Sequence, residues 1–373
     1  MMRSLVLLSA LRTGEKAGFQ HSAAIHGIPF HFGLLATECP EFPSDADAAY
    51  QVLVKKRAIS INFRDLSILF TLNNGLSNNP EGYNCFGSDF VGEVVAVGRK
   101  VKNLTVGDRV IPNCDYEMKP KRGISMRGIP SNRASAAYDF FAAEKLLKID
   151  DSIADEVAAC MSIGLQTSYS MIRKAKIRKG DRILVTSGSS NTSLFLIEAL
   201  KAKGHRVTVL TSNSVTQERL GKEQEVILYQ NTNDLTAQLD LHKTKYCSGF
   251  DVVFDPFSDV FFEKLIDYLN ADARYLTCGL YKQKPEFKDL EESSIVNKPA
   301  LGYLLAHLIM KNIRLIGNCL GTTKDLVEAI ADYKEGKINI AIDAVFSERE
   351  LGSFIDKAFT DKRRSGKVVL TYY

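Results

Sequence analysis

Apolar and polar positions follow different patterns in the two parts of this chain. Up to about residue 150, β-rich runs are interrupted by glycines, as in "DFVGEVVAVGRKVKNLTVGDRVI". Beyond that point, short apolar runs alternate with stretches of helical spacing such as "DEVAACMSIGLQTSYSMIRKAK". The first pattern is typical of a small β-barrel. The second is typical of a doubly wound parallel sheet with helices on both faces.

The second part is expected to contain six strands in alternation with helices. The predicted strands span residues 182–187, 206–211, 224–229, 251–256, 273–279 and 312–318. A helix and strands in the last stretch of the chain are expected to return to the first domain. We therefore predict an α/β protein in which residues 1–149 and 320–373 form one domain and residues 150–319 the other. Residues 14–46 show little periodicity and are predicted to form an extended loop or a hairpin.

The first residues, "MMRSLVLLSALRTGEK", permit two interpretations. One arginine followed by a brief apolar run resembles a short signal peptide. The same run also fits a first buried strand, and we favour the strand. No later run approaches the ~18 apolar residues of a membrane span.

Composition narrows the class of protein. The chain has 373 residues, 25% of them charged, and a net charge of only +4, which argues against nucleic acid as a main partner. Its seven cysteines are scattered and never spaced as CxxC. Free thiols in a reducing cytosol therefore fit better than disulfides or a zinc knuckle, and we expect a cytoplasmic protein with no membrane contact.

One segment has the outline of a dinucleotide-binding βαβ unit. In "RILVTSGSSNTSLFLIEALKAKGHRVTVLTS" an apolar strand, a turn of small residues and a helix lead to a second strand. Such turns usually carry three glycines, whereas this turn carries only Gly188. The question is whether the turn still binds a cofactor.

Several further stretches make the chain resemble the medium-chain dehydrogenase/reductases, in particular the zinc-free branch of quinone oxidoreductases and enoyl reductases. The matching stretches occur in the family's order and cover nearly the whole chain: "SINFRDL", "GSDFVGEVVAVGRKV", "GDRVI", "AKIRKGDRILV", "EVILY", "DVVFDP", "GNCLGTTKDL" and "GKVVL". The resemblance implies a GroES-like β-barrel catalytic domain built from both chain ends, a Rossmann domain between them, and a cleft where they meet.

The resemblance also assigns the cofactor loop. The family's glycine positions carry Ser187, Ser190, Asn191 and Ser193, whose small side chains can donate hydrogen bonds to phosphate while the helix N-terminus supplies backbone N–H groups. We predict a working phosphate loop formed by Ser187, Gly188, Ser189, Ser190, Asn191 and Thr192. The alternative is that Asn191, Thr192 and Ser193 only cap the helix, and that the site is weakened or lost.

The end of the second strand indicates the type of cofactor. It carries Thr211 and Ser212 rather than the carboxylate that a ribose hydroxyl of NAD requires, and Arg219 follows. The resemblance places Tyr229 beside the adenosine phosphate. These residues favour NADPH over NADH, although Arg219 is equally compatible with an ordinary exposed helix position.

The zinc ligands of the superfamily's alcohol dehydrogenases can be checked by position. Asn62 occupies the position of the first zinc-ligating cysteine, and Ser88 and Asp89 occupy the positions of the His-Glu pair. A later cysteine ligand is expected at Ile163, and Cys160 lies about three residues away from that position. A catalytic zinc needs three protein ligands. We therefore predict no metal.

Without zinc, the resemblance implies hydride transfer from NADPH to an activated C=C bond, with charge developing on a carbonyl oxygen. Asn62 is the favoured polar contact, with Asp65 as a second cleft residue or a turn anchor and Tyr83 as a proton donor or an ordinary loop aromatic. Asn318 and Lys367, in "GNCLG" and "GKVVL", are assigned to the cofactor.

The substrate stays open at this point. It is an enoyl thioester, an enone or quinone, or a peptide dehydroalanine as in lanthipeptide tailoring. The basic loop at 119–133 is a candidate for holding a phosphorylated carrier or an acidic peptide, or is simply solvated. A homodimer is expected by resemblance, through an edge of the Rossmann sheet. A non-catalytic NADPH-sensing or binding protein on the same fold is the alternative function.

Overall fold

A computed structural model describes residues 2–10, 19–76, 82–119, 127–220, 224–281, 301–361 and 363–372, which form two compact units. Unit 1 comprises Met1–Gln166, Thr322–Leu326 and Ile340–Tyr373, and unit 2 comprises Thr167–Gly321 and Val327–Asn339. The chain changes unit after Gln166, Gly321, Leu326 and Asn339, whereas the predicted boundaries lie after residues 149 and 319. The changes after Gln166 and Leu326 fall inside helices, where no loop composition marks them.

Unit 1 contains two sheets. The first has the order β2-β3-β1-β5 and consists of β1 (Met2–Leu8), β2 (Phe19–Ile25), β3 (Ile28–Thr37) and β5 (Tyr83–Asn84). The apolar start of the chain is thus a strand with a buried C-terminal half, as predicted. Within residues 14–46, the described part contains a β2–β3 hairpin, and His26 and Gly27 adopt the positive φ angles of its tight turn.

The second sheet of unit 1 has seven strands, in the order β16-β17-β4-β6-β7-β9 with β8 paired to β4. Its strands are β4 (Gln51–Ser60), β6 (Asp89–Val97), β7 (Arg109–Pro112), β8 (Tyr138–Ala142), β9 (Leu146–Lys148), β16 (Ile342–Ser347) and β17 (Lys367–Thr371). The helices are α1 (Phe63–Leu76), α2 (Asp155–Ala158) and α10 (Leu351–Phe359). Because β17 pairs with β4, the end of the chain lies beside the start of α1.

Unit 2 is built around a parallel sheet of six strands in the order β12-β11-β10-β13-β14-β15. Its strands are β10 (Ile183–Val185), β11 (Val207–Thr211), β12 (Glu225–Leu228), β13 (Phe250–Asp255), β14 (Leu269–Thr277) and β15 (Arg314–Gly317). Each overlaps one predicted strand, so the α/β class and the doubly wound sheet are confirmed. Strands β10, β11 and β13 are buried along almost their whole length, as expected for central strands of a parallel sheet covered by helices on both faces.

The helices of this part of the chain follow the strands in alternation. They are α3 (Ser162–Ala175), α4 (Asn191–Ala202), α5 (Ser214–Leu220), α6 (Thr232–Tyr246), α7 (Ser258–Leu265), α8 (Leu301–Met310) and α9 (Thr323–Lys334). The first and last of these cross between the units. None of the helices in the described ranges is long and apolar enough to span a membrane.

The topology of unit 2 determines where a ligand can bind. Strand β10 lies between β11 and β13 in the sheet. The chain runs from β10 to β11 and β12 on one side, and then crosses back to β13 on the other side of β10. In an open parallel sheet, the crevice outside the carboxyl ends of the strands at this reversal is the binding position. Here that position is the loop from β10 to α4.

Candidate functional site

The loop between β10 and α4 has a tightly constrained backbone. Ser187 adopts φ +50°, a left-handed conformation that is uncommon for a residue with a side chain. Its carbonyl accepts a hydrogen bond from the N–H of Ser190 at 2.7 Å. A Cβ on Gly188 would lie 2.5 Å from Cγ1 of Val209, so this position requires glycine. Gly188 therefore lies at the point of the turn where the backbone packs closely against β11 and a side chain would not fit.

Two serine hydroxyls of this loop form hydrogen bonds inside the protein. Oγ of Ser190 caps α4 by accepting from the N–H of Ser193 at 3.2 Å, and it donates to Oγ of Ser193 at 2.9 Å. Oγ of Ser193 in turn donates to the carbonyl of Thr186 at 2.7 Å. A hydroxyl has one proton to donate. In this conformation both hydroxyl protons are therefore used inside the protein, and donation by Ser190 and Ser193 to a phosphate stays a prediction.

Other groups of the loop remain available to an anion. Ser187, Ser189, Asn191 and Thr192 have half-buried side chains. The N–H groups of Asn191 and Thr192 belong to the first turn of α4, where no intrahelical acceptor exists. A helix N-terminus of this kind attracts negative charge through its N–H groups and its dipole. The loop can therefore receive a pyrophosphate through its backbone.

A buried carboxylate lies beneath the loop, and sequence reasoning missed it. Asp255 ends β13 and accepts hydrogen bonds from the hydroxyl of Thr186 at 2.6 Å, from the N–H of Phe257 at 3.0 Å and from the hydroxyl of Tyr275. Burial raises the pKa of Asp255, and burial together with the neighbouring carboxylate raises the pKa of Tyr275 well above its usual value. The signal in the sequence was an aspartate ending an apolar strand in "DVVFDP".

The end of β11 carries the residues predicted to select the cofactor. Thr211 is buried, and its carbonyl accepts a hydrogen bond from the N–H of Tyr229 at 3.1 Å. Ser212 is exposed and its side chain hydrogen-bonds to that of Tyr229, whose pKa is raised by burial. Arg219 lies exposed in the last turn of α5. The structure thus brings Thr211, Ser212 and Tyr229 together at one strand end.

Asn318 lies at the same carboxyl edge of the sheet. It follows β15 directly, and its N–H donates to the carbonyl of Thr277 at 2.7 Å. Its side-chain oxygen accepts from Ser170 at 2.9 Å, and its side-chain nitrogen donates to the carbonyl of Leu320 at 2.8 Å. The side chain of Asn318 therefore anchors the turn after β15. This turn lies at the edge of the sheet where the cofactor is predicted to bind.

A second polar cluster lies in unit 1, at the junction of β4, α1, β6 and β17. Nζ of Lys367 donates to the side-chain oxygen of Asn62 at 2.7 Å and to Asp89 at 3.0 Å. The side-chain nitrogen of Asn62 donates to Asp89 at 2.9 Å and to Ser88 at 3.3 Å. Ser88 donates to Asp65 at 2.6 Å. All five side chains are buried.

The hydrogen bonds of this cluster show what its members do in this conformation. Both N–H groups of the Asn62 amide are donated inside the cluster, which is a structural role, and its contact with cofactor or substrate stays a prediction. Asp65 accepts from the N–H of Asn62 at 2.8 Å, which is the turn-anchor alternative. Burial raises the pKa of Asp65. Lys367, predicted to contact cofactor, is fully buried against Asp89.

The donor set of this cluster does not fit zinc. Asp89, the one carboxylate at a ligand position, is paired with the ammonium of Lys367 and also accepts from the N–H of Ile163 at 3.1 Å. Burial raises the pKa of the Cys160 thiol to about 12, so a thiolate is disfavoured there. In the described ranges, no three His, Cys, Asp or Glu side chains are grouped as metal ligands.

Tyr83 and the basic segment 119–133 were also predicted as candidates for the site. Tyr83 lies in strand β5, paired with Leu8, rather than in a loop, and its residue is 52% exposed. In the basic segment 119–133, Lys121 and Arg122 lie outside the described residues, while Lys119, Arg127 and Arg133 are exposed.

Comparison with known proteins identifies the class. Residues 48–151 match the alcohol dehydrogenase GroES-like domain. The chain is 24% identical over 348 residues to an acryloyl-coenzyme A reductase of Metallosphaera sedula, covering 90% of this chain and 96% of that protein. It is 31% identical over 209 residues to a quinone oxidoreductase of Pseudomonas aeruginosa, covering 55% of this chain and 57% of that one. The chain belongs to the medium-chain dehydrogenase/reductase superfamily, a family of oxidoreductases.

Solved structures share the fold across nearly the whole chain. A short chain alcohol dehydrogenase from E. coli CFT073 complexed with NADH has a TM-score of 0.72 at 16% identity and covers 99% of each chain. A mycobacterial protein complexed with NADPH has a TM-score of 0.69 at 17% identity and covers 100% of each chain. At these identities the likeness is one of fold.

Proposed function

We propose that this protein is a metal-independent reductase that uses NADPH to reduce a C=C bond conjugated to a carbonyl group. The observation that carries the proposal is the Asn62–Asp89–Lys367 cluster. At the positions expected to carry zinc ligands it has the amide of Asn62, the hydroxyl of Ser88 and the carboxylate of Asp89, and this carboxylate is paired with the ammonium group of Lys367. Carbonyl polarisation by a metal is therefore not the chemistry that these residues support.

The relatives support a C=C substrate. The acryloyl-coenzyme A reductase aligns over nearly all of both chains, and the quinone oxidoreductase is the more identical over a shorter stretch. Both names denote reduction of a conjugated system. We therefore place an acryloyl-type thioester first, an enone or quinone second, and a peptide dehydroalanine, as in lanthipeptide tailoring, third.

The residues of unit 2 suit a reduced nicotinamide dinucleotide. When bound, this cofactor would supply a hydride to the β-carbon of the substrate. The N–H groups at the start of α4 would hold the pyrophosphate, with Ser187 and Ser189 as flanking hydroxyls. Ser212 and Arg219 would receive a 2′-phosphate, since no carboxylate occurs from Thr211 to Gln217. This arrangement favours NADPH over NADH.

Two measurements test the proposal. Titration of the full chain with NADPH and with NADH, followed by nicotinamide fluorescence, is expected to show tighter binding of NADPH. Oxidation of NADPH at 340 nm is then measured with acryloyl-coenzyme A, a quinone and a dehydroalanine peptide. Turnover of at least one of these is expected. Binding without turnover of any activated alkene would contradict the reductase assignment.

One observation favours a second candidate, a non-catalytic NADPH-binding protein. The hydroxyls of Ser190 and Ser193 are turned into the loop rather than toward a ligand. A protein that only senses NADPH would bind it with the same preference and oxidise none with any substrate. The 340 nm assay therefore separates the two functions.

We also propose that a second copy of the chain covers the apolar surface at the edge of unit 2. Strand β15 is last in the sheet among the described strands, and α8 exposes Leu301, Ile309 and Met310 by 70% or more. An unpaired strand edge beside an exposed apolar helix favours association. Sedimentation is expected to give a dimer, and Ile309→Glu is expected to weaken it. A monomer at all concentrations would contradict this proposal.

A further inference from the structure

Five polar residues of unit 2 are linked by hydrogen bonds into one line that ends in the cofactor loop, with Thr186 linked on one side by its hydroxyl and on the other by its backbone carbonyl. Tyr275 and Thr186 donate to the two oxygens of Asp255, the latter at 2.6 Å. Ser193 donates to the carbonyl of Thr186 at 2.7 Å, and Ser190 donates to Ser193 at 2.9 Å. We call these five residues the hydroxyl ladder. It runs from the interior of the sheet to the N-cap of α4.

Because the ladder is buried, the loss of any one of its hydrogen bonds is expected to cost stability. Tyr275, Asp255, Thr186 and Ser193 are each 0% exposed. A buried polar group that loses its partner costs more than the net gain of an ordinary hydrogen bond. Removing one member therefore weakens a buried network directly beneath the loop, and we expect the loop to shift in response.

The ladder holds the loop on both sides of its turn. Thr186 immediately precedes the turn and Ser193 lies in the first turn of α4, and the bond from the Ser193 hydroxyl to the Thr186 carbonyl closes the loop at its base. Between them, Ser187 is in a left-handed conformation that costs about 1–2 kcal/mol for a residue other than glycine. That conformation persists only where surrounding contacts impose it.

We propose that the hydroxyl ladder holds the serine-rich loop in the shape that receives the cofactor pyrophosphate, with Thr186 and Asp255 as positioning residues. This inference rests on the proposed function. Neither residue needs to touch the cofactor, because Thr186 acts through its own backbone and through the first turn of α4. The ladder thereby performs a task that glycine-rich loops accomplish with bare backbone.

The test compares two identical substitutions in one sheet of the full-length protein. Thr186→Val removes the hydroxyl that bonds to Asp255. Thr208→Val removes a hydroxyl on β11 that bonds to the carboxylate of Glu225 at 3.2 Å, outside the ladder. Both variants are expected to lower the urea midpoint. Thr186→Val is expected to raise the Kd for NADPH about tenfold, and Thr208→Val by less than twofold.

A second matched pair covers the case in which Thr186→Val fails to fold. Tyr275→Phe removes the other bond to Asp255, whereas Tyr169→Phe removes a buried tyrosine–carboxylate bond to Asp332 at 2.7 Å elsewhere in unit 2. Tyr275→Phe is expected to raise the Kd for NADPH severalfold and Tyr169→Phe to leave it unchanged.

The outcomes separate the ladder from the proposed function. If the unmodified protein binds neither NADPH nor NADH, the proposed function fails and the ladder has no such role. If the unmodified protein binds NADPH but the ladder variants bind it no more weakly than their matched controls, the ladder inference alone is overturned.

Discussion

Replacement of Lys56 by methionine is expected to stabilise unit 1, although it removes a charged side chain. Lys56 lies on β4 and is fully buried, and its Nζ has no hydrogen-bond partner in the described ranges. This nitrogen lies 4.2 Å from the ring centroid of Phe90 and 4.7 Å from that of Phe141. Burial lowers the pKa of Lys56 from 10.5 to about 8, against the opposing attraction of Asp139. The native state therefore carries the ammonium group at a cost.

The size of that cost follows from the pKa. Each pKa unit corresponds to about 1.4 kcal/mol, so the difference between 10.5 and about 8 amounts to about 3 kcal/mol when the amine is charged in both states. Between pH 8 and 10.5 the unfolded chain binds the proton and the folded chain does not. Lys56 alone therefore makes the free energy of unfolding rise with pH through this window. The buried thiols of Cys114, Cys160 and Cys278, whose pKa values burial raises, act in the opposite direction, so the quantity to compare is the difference between the unmodified protein and Lys56→Met at each pH. Lys56→Met should gain about 2–3 kcal/mol at pH 7 and lose this pH dependence.

Urea unfolding followed by far-ultraviolet circular dichroism is the appropriate assay, since the chain has no tryptophan. Measurements at pH 7, 8.5 and 9.5 follow the rising part of the window. Lys55→Met is the control, because Lys55 is the next residue on the same strand and is only half-buried. A loss of stability in Lys56→Met at pH 7, or an unchanged slope with pH, would refute the reasoning.

Three further expectations concern other residues. Ser187→Gly should raise the unfolding free energy by about 0.5–1 kcal/mol because it relieves a left-handed conformation, whereas Ser189→Gly should not; urea midpoints compare the two. Lys367→Met should cost about 3–5 kcal/mol because it leaves Asp89 buried without its cation, and Lys367→Arg should recover part of that loss in the same assay. Glu225, whose hydrogen bonds lower its pKa to about 2 against burial, should make unit 2 less stable as pH falls from about 5 to 2, and Glu225→Gln should flatten that acid dependence.

The fold could be predicted to a large extent because its signals are local. The six strands of unit 2 are short apolar runs bounded by polar turns, and this pattern is legible without knowledge of any partner strand. The changes of unit are less legible. The change after Gly321 lies close to the predicted boundary after residue 319, whereas those after Gln166 and Leu326 fall within α3 and α9, where an uninterrupted helical pattern gives no sign of them.

The candidate site could be predicted only in part, because its important contacts join distant residues. Asn62 and Lys367 were both predicted as site residues. The hydrogen bond between their side chains joins residues 305 positions apart in the sequence, and no local pattern predicts it. The loop serines were also singled out, yet the direction in which Ser190 and Ser193 donate depends on the carbonyl of Thr186 beneath them. Residue type indicated the chemistry, and tertiary geometry determined which groups are free to perform it.

The most direct test of a metal-independent reductase is NADPH oxidation at 340 nm with acryloyl-coenzyme A, on protein whose metal content has been measured before and after treatment with a chelator. The account predicts turnover that is unchanged by the chelator on protein with substoichiometric zinc. Activity that is lost with the metal and restored by added zinc would contradict it, and so would oxidation of an alcohol in place of reduction of the alkene.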